Sequence, residues 1–164
     1  MAIPPRREKS YIDGPSSGIR HADDIPWIPF PGIEGSHFKL LRLDRETDGG
    51  IFLLRIQPGV KGPMHKHFGS VEYFNLKGTL KFGKFLIGPG SYAYELGGFK
   101  HSEDPPEKEE TITLFIVHGP LQAYEEDGSP GKVLGASAMA KLQEKFIADQ
   151  AVTPRPEGRP PEGV

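Results

Sequence analysis

The sequence predicts an all-β domain with a single helix near its C-terminus. Its 164 residues include 21 glycines and 17 prolines, a density of turn formers that suits many short strands better than long helices. Between residues 37 and 117, short runs rich in apolar and β-branched residues are separated by turn residues. After Gly135 the apolar spacing changes from that of a strand to that of a helix.

The individual elements follow from these patterns. Strands are predicted at 37–43, 51–57, 71–76, 79–85, 91–95 and 111–117. Thr47-Asp48-Gly49-Gly50 predicts a hairpin turn, because Asp-Gly readily takes the positive φ that such turns need. Lys77-Gly78 and Gly128-Ser129 have similar turn chemistry. Met139, Leu142 and Phe146 fall on one helical stripe, which predicts an amphipathic helix at 136–149, packed outside the sheets.

The chain is long enough for one good core and short for two ordinary domains. Residues 1–24 lack periodicity and are expected to form an N-terminal arm. Residues 25–150 are expected to form the domain, and 151–164 a tail rich in proline and glycine that is not expected to fold. The apolar segment Trp27-Ile28-Pro29-Phe30 is expected to lay the arm across the domain or at a subunit interface.

Charge and cysteine content exclude several classes of function. The formal net charge is -2 and no basic stripe is present, which argues against a nucleic-acid partner. The absence of cysteine means that any metal must be bound by histidine and carboxylate, and it is compatible with a cytoplasmic location. Residues 1–13 contain no apolar run, so neither a signal peptide nor a membrane span is predicted.

The most informative side chains are three histidines and one glutamate. His65 and His67 stand at positions i and i+2, so on a strand both imidazoles project from one face and can reach one metal ion. Glu72 follows closely, and His101 comes after the Gly88-Pro89-Gly90 turn. We therefore predict one divalent ion, with His65, His67, Glu72 and His101 as its ligands.

Glu72 has two alternative roles at such a site. On a strand it shares a face with Phe74 and Leu76, so it is expected in apolar surroundings. There it either coordinates the metal, or it remains a buried carboxylate with a raised pKa that is the candidate catalytic group.

The histidines and their flanking glycines resemble the motifs of the cupin superfamily. The first motif is matched by Gly59, His65, His67, Glu72 and Gly78, with the last interval one residue shorter than the family pattern. The second is matched by Pro89-Gly90 and His101, with a longer run between them and without the asparagine that the pattern places after the histidine. The resemblance implies a double-stranded β-helix, which is the jelly-roll barrel of cupins.

Further segments resemble the small cupin dioxygenases that cleave carbon–carbon bonds in β-diketones such as acetylacetone and in hydroxyacetophenones. The matching segments are 67–74, 77–78, 118–121, 127–128 and 131–133. This resemblance implies a mononuclear ferrous ion held by His65, His67 and His101, with Glu72 as a ligand in some relatives and not in others. Zinc, nickel and manganese are the alternative ions.

The function expected from this site is that of an iron-dependent dioxygenase that uses O2 on a small diketone or aromatic hydroxyketone. Three neutral imidazoles leave the ion its full charge and open faces, which favours a bidentate enolate. The aromatic and apolar side chains expected to line a dry pocket are Phe52, Met64, Phe74, Tyr94 and Phe115. The alternatives are a non-catalytic, sensor-like cupin that binds metal or a small molecule, and a zinc, nickel or manganese hydrolase or isomerase.

A homodimer or homotetramer is also expected. A jelly roll leaves sheet edges partly open, and Trp27, Phe30 and Phe38 supply apolar surface that could cover them in an assembly.

Overall fold

The computed structural model describes residues 9–104, 106 and 108–152, so most of the predicted tail and the first eight residues of the predicted arm lie outside the described part. In chain order the strands are β1 (Ile12–Asp13), β2 (Ile28–Pro29), β3 (Ser36–Leu43), β4 (Gly50–Ile56), β5 (His65–His67), β6 (Val71–Lys77), β7 (Leu80–Phe82), β8 (Phe85–Ile87), β9 (Tyr92–Glu95), β10 (Lys100–His101), β11 (Thr111–Val117), β12 (Leu121–Tyr124) and β13 (Pro130–Leu134). A short 3-10 turn spans Ala22–Asp24, and one helix, α1, spans Ala136–Val152. The predicted all-β class with one C-terminal helix is confirmed.

The larger sheet has the strand order β1-β3-β4-β11-β6-β9, with β2 added to β3. Strand β11 lies at its centre and pairs antiparallel with both β4 and β6. Side chains alternate between the two faces, and in β6 the buried ones are Val71, Tyr73 and Asn75. The residues between them, including Glu72 and Phe74, therefore belong to the outer face of the sheet.

The smaller sheet has the order β10-β5-β12-β13 and carries the histidines. Strand β5 lies between β10 and β12 and is antiparallel to both. The single strand predicted at 79–85 is wrong in its extent, because a turn at Gly83, with φ of 57°, divides this region into the hairpin β7–β8. An isolated bridge from Lys81 of β7 to Asp104 connects this hairpin to the segment that follows β10.

Helix α1 packs outside the large sheet, against β3, as predicted. Asp48, which takes a positive φ in the predicted hairpin turn, accepts a hydrogen bond at Oδ1 from the backbone N–H of Ser137 in the first turn of α1. The buried Gln143 side chain accepts from the Leu40 N–H at 2.7 Å and donates to the Leu40 carbonyl at 3.1 Å. The core beneath the helix is formed by Tyr11, Ile28, Phe38, Leu40, Leu43, Ala136, Met139 and Ala140. No helix of the described residues is long and apolar enough to span a membrane.

The described part of the predicted arm is docked onto the domain. Strand β1 pairs in parallel with β3, and Tyr11 is buried with its hydroxyl donating to Glu144 of α1 at 2.6 Å. Residues 11–13 are therefore held by sheet pairing and by the helix.

The three apolar residues expected at a subunit interface all make contacts within the chain. Phe38 is fully buried in the core, and Phe30 packs against it edge-to-face. The Trp27 ring has Lys39 Nζ and Arg55 Cζ each 4.6 Å from its centroid, which fits cation–π contacts. Phe38 is therefore unavailable for an interface, which corrects the prediction for this residue, whereas Trp27 and Phe30 stay partly exposed.

Candidate metal centre

His65 and His67 begin and end β5, and strand alternation turns both imidazoles to the same side of the smaller sheet. Both side chains are buried, with 6% and 5% of their surface exposed. Their Nε2 atoms lie 3.2 Å apart. His65 Nδ1 lies 2.9 Å from the Pro63 carbonyl oxygen, which can only accept a hydrogen bond, so the tautomer of His65 places its proton there and leaves Nε2 free to bind an ion.

His101 completes the group from the neighbouring strand. It lies opposite His65 in the β10–β5 register, and the two ring centroids are 4.4 Å apart. The candidate ligand atoms of His65, His67 and His101 all lie within 4.8 Å of one another. His101 Nε2 is buried with no hydrogen-bond partner among the described residues, a costly arrangement that a bound metal would satisfy. The three predicted histidines therefore come together and could bind a metal ion.

The pKa values of His67 and His101 are shifted in opposite directions. Burial, helped by the nearby His65, lowers the pKa of His67 to about 4, so its imidazole is neutral near pH 7 and its lone pair is available. Burial also opposes the charging of His101, but the Glu95 carboxylate outweighs it and raises the pKa of His101 above its usual value.

Glu95 and Tyr73 support His101 from the larger sheet. Glu95 Oε1 lies 2.9 Å from His101 Nδ1, and the Tyr73 hydroxyl donates to Glu95 Oε2. The contact at Nδ1 orients the ring so that Nε2 is left for the other two histidines. Burial raises the pKa of the Tyr73 hydroxyl, so Tyr73 stays protonated and remains a donor.

A second carboxylate reaches the histidines directly. Glu103 Oε1 lies 3.5 Å from His65 Nε2 and 3.8 Å from His101 Nε2. Only 16% of the Glu103 side chain is exposed. Glu103 thus faces two of the three candidate ligand atoms from the segment that follows β10.

Glu72, which was predicted as a ligand or as a buried catalytic acid, lies elsewhere. It is on the outer face of β6, where Oε1 accepts from the Tyr92 hydroxyl and Oε2 lies 2.9 Å from His118 Nε2. These contacts, led by the one to His118, lower the pKa of Glu72, whereas the alternative of a buried carboxylate predicted a raised one. The physical reason is strand alternation, because the inward positions of β6 are those of Val71, Tyr73 and Asn75.

Two of the five predicted pocket residues lie inside the sandwich. Phe115 is buried, and its ring is stacked on the half-buried Phe52 with centroids 6.0 Å apart. Met64, Phe74 and Tyr94 are instead exposed, which corrects their predicted place in the pocket. An aromatic ring that the sequence did not suggest, Phe82 of the β7–β8 hairpin, stands edge-on to His101 at 5.0 Å.

Sequence reasoning missed Glu95, Tyr73 and Glu103, although two of them carried a usable signal. Tyr73 alternates with Glu72 along β6, so one of the two had to face inward. Glu103 follows His101 at i+2, the spacing that brings His65 and His67 together. Glu95 has no comparable signal, because its place near His101 depends on how the two sheets pack.

The fold recurs in solved structures of other proteins. A candidate acetylacetone dioxygenase from Methylibium petroleiphilum PM1 is 27% identical with a TM-score of 0.67, over 82% of this chain and 98% of that one. An acetylacetone dioxygenase from Acinetobacter johnsonii is 20% identical with a TM-score of 0.70, over 88% and 99%. Rhodobacter sphaeroides SigE in complex with the anti-sigma ChrR matches at 22% identity and a TM-score of 0.51, over 60% and 51%.

The family is identified by a match to the whole region that forms the site. The model of the ChrR cupin-like domain matches residues 16–122, which include His65, His67 and His101. No curated protein is significantly similar to the chain. The strand-rich fold, the histidine group and this match together show that the chain is a cupin and belongs to the family of ChrR cupin-like domains.

Proposed function

We propose that this chain binds one ferrous ion through His65, His67 and His101 and uses O2 to cleave a carbon–carbon bond in a small diketone or aromatic hydroxyketone. The observation that carries the proposal is the convergence of three buried imidazoles, one of which has an Nε2 with no partner among the described residues. The 27% identity to a candidate acetylacetone dioxygenase adds support for the substrate class.

The ion, the histidines and Glu95 would have different roles in this reaction. A ferrous ion supplies Lewis acidity toward the two oxygens of an enolate and electrons for dioxygen. The imidazoles of His65 and His67 are nitrogen ligands held side by side on β5. Glu95 is a positioning residue, because it holds His101 Nδ1 on the side of the ring away from the shared site.

The surroundings of the histidines favour a site from which water is largely excluded. Tyr73, which donates to the Glu95 carboxylate beside His101, packs edge-to-face on Phe115 at 4.7 Å, and the Phe52 ring is stacked with Phe115. Phe82 covers His101 from the β7–β8 hairpin. Such apolar walls strengthen the electrostatic attraction between a cation and an enolate oxygen.

The experiment that tests the proposal compares the iron and zinc forms of the purified protein. Elemental analysis should find about one ion per chain, and oxygen uptake on a panel of β-diketones and hydroxyketones should occur with iron and be absent with zinc. Zinc has no accessible second oxidation state, so it can bind the same ligands without oxidising them. Equal turnover by both forms would contradict an oxygenase and indicate hydrolysis or isomerisation.

A second candidate function is a non-catalytic, metal-binding module of the sensor type. The observations that favour it are the match to the ChrR cupin-like domain and the fold similarity to SigE in complex with the anti-sigma ChrR. Anaerobic addition of a diketone to the iron form distinguishes the two candidates. A charge-transfer band that air bleaches as oxygen is consumed supports the dioxygenase, and a band that persists in air without oxygen uptake supports the binding module.

We also propose that the chain forms a homodimer or homotetramer. The support comes from the outer face of β6 and β9, where Phe74, Leu76, Tyr92 and Tyr94 are all exposed on neighbouring strands. A contiguous apolar patch of this kind is typical of an interaction surface, and β9 is an edge strand. Light scattering should give a mass of two or four chains, and the 18.1 kDa mass of a monomer at tens of micromolar would contradict the proposal.

A further inference from the structure

We propose that Glu103 is the carboxylate ligand of this metal centre, in place of Glu72, which occupies the position of the family motif. The inference rests on the proposed metal-binding function. It makes the site one of three imidazoles and one carboxylate, with the carboxylate supplied from the segment after His101.

The first support is the position of the Glu103 carboxylate. Ligand atoms about 2.1 Å from one ion lie roughly 3 to 3.5 Å apart when they are neighbours in a tetrahedral or octahedral shell. The His65–His67 pair is at 3.2 Å, and Glu103 Oε1 is 3.5 Å from His65 Nε2 and 3.8 Å from His101 Nε2. A shift of a few tenths of an ångström would place Oε1 beside both imidazoles on one ion.

The second support is that the segment carrying Glu103 is fixed at several points. The Asp104 N–H donates to the Lys81 carbonyl at 3.2 Å, within the bridge to β7. Beyond it, the Pro106 carbonyl accepts from the Gly59 N–H at 2.9 Å. On the other side of Glu103, His101 is paired with His65 in the β10–β5 register. A carboxylate on a segment held on both sides needs little ordering when an ion binds, which favours ligation.

The third support is a glycine that leaves room for the carboxylate. A Cβ added at Gly62 would lie 2.8 Å from Glu103 Oε2, which is closer than real Cβ atoms approach other groups. Gly62 has no positive φ, so its backbone does not require glycine and the space it leaves is what matters. The missing side chain at Gly62 thus leaves the space that the inward-facing Glu103 carboxylate occupies.

Glu72 offers no comparable geometry. Its two carboxylate oxygens are engaged by Tyr92 and His118 on the outer face of β6. Moving it to the histidines would require inverting the side-chain alternation of a strand that is paired on both sides.

Ligation by Glu103 would also change the charge of the site. A carboxylate ligand lowers that charge from +2 to +1, so it weakens the attraction for enolates compared with a three-histidine site.

The test measures metal binding by Glu103→Gln in the full-length chain, with Glu72→Gln as the matched control. Chelator competition with Co(II) and Fe(II) should show at least a tenfold loss of affinity for Glu103→Gln and less than a twofold change for Glu72→Gln. The visible spectrum of the Co(II) form should change only for Glu103→Gln, because the spectrum reports the number and type of ligands. Thermal melting of the metal-free variants checks that each is folded.

Gly62→Ala provides an independent variant that keeps the Glu103 carboxylate. Its methyl group should displace Oε2 and weaken Co(II) binding severalfold in the parent, while adding nothing in the Glu103→Gln background. If Glu103→Gln does not fold, the Co(II) affinity and spectrum of Gly62→Ala decide the question instead.

The outcomes separate this inference from the proposed function. If the parent binds one ion and Glu103→Gln keeps its affinity and spectrum, Glu103 is not a ligand while the three-histidine site stands. If the parent binds no ion under anaerobic, iron-supplemented conditions, both proposals fail. A loss of affinity in Glu72→Gln equal to that in Glu103→Gln would also overturn the assignment.

Discussion

His101 Nδ1 lies 2.9 Å from Glu95 Oε1, and these two residues come from different sheets. Glu95 ends β9 at the edge of the larger sheet, whereas His101 ends β10 at the edge of the smaller one. The orientation of one candidate metal ligand therefore depends on the packing between the sheets.

The first prediction concerns this contact. Glu95→Gln removes the negative charge beside His101 while leaving an oxygen that can still accept from Tyr73, so we expect metal affinity to fall about 10- to 100-fold. Glu110→Gln, which removes a surface carboxylate paired with Lys77 at 3.0 Å, is the control and should leave affinity unchanged. Chelator competition measures both, and equal affinities in the two variants would contradict the positioning role of Glu95.

The second prediction concerns the three histidines. His65→Ala, His67→Ala and His101→Ala should each lose most of the bound metal and stay folded, because the two hydrophobic clusters of the core do not include them. The control is His21→Ala, whose side chain is exposed, and it should keep the metal content of the parent. Elemental analysis with thermal melting gives the answer, and metal content within a factor of two of the parent would remove that histidine from the site.

The third prediction concerns the attachment of the helix to the sheet. Gln143→Ala leaves the N–H and carbonyl of Leu40 buried without these partners, so we expect a loss of about 2–4 kcal/mol in the free energy of unfolding. Gln150→Ala changes an exposed residue of the same helix and should cost less than about 0.5 kcal/mol. Denaturant titration measures both, and similar midpoints for the two variants would show that the Leu40 contacts contribute little.

The fourth prediction concerns pH. Arg45 and Lys9 hold the pKa of Asp13 below its ordinary value of 3.8, so the ionised carboxylate favours the folded state. This contribution is fully present above pH 3.8 and is lost as the pH falls through the lower pKa of the folded state. Asp13→Asn should therefore be less stable than the parent at pH 7. The difference in the free energy of unfolding between the two should shrink as the pH falls below 3.8.

Denaturant titrations of the parent and of Asp13→Asn at several pH values test this dependence. Asp24→Asn, at an exposed position of the 3-10 turn, is the control. A stability difference between the parent and Asp13→Asn that is the same at pH 7 and in acid would show that the charge of Asp13 has no part in it.

The sequence was sufficient to predict features that depend on the periodicity or turn chemistry of a single element. The i and i+2 spacing of His65 and His67 needs only a strand to bring the imidazoles together, and β5 supplies it. The turn at Asp48 and the helix after Gly135 were likewise predictable, because turn chemistry and a 3.6-residue period act over short distances.

Glu72 shows where the same periodicity fails. In β6 both faces carry apolar residues, so alternation states which residues share a face without stating which face is inside. The choice is made by packing on the inner face of the sheet, where Val71 and Tyr73 form a buried cluster with Phe115 and Val117. The exposure of Phe74 and Tyr94 has the same cause.

The sequence by itself determined the all-β class, the hairpin turn at Asp48, the C-terminal helix and the three histidines, because each depends on residue types and on spacings within one element or motif. Only the tertiary structure decided which carboxylates accompany the histidines. Glu95 reaches His101 because two sheets pack together, and Glu103 reaches His65 because the segment after β10 is fixed to β7. The spacing of residues within one strand or helix does not predict these contacts. They depend on the packing of the sheets and on the connections between strands.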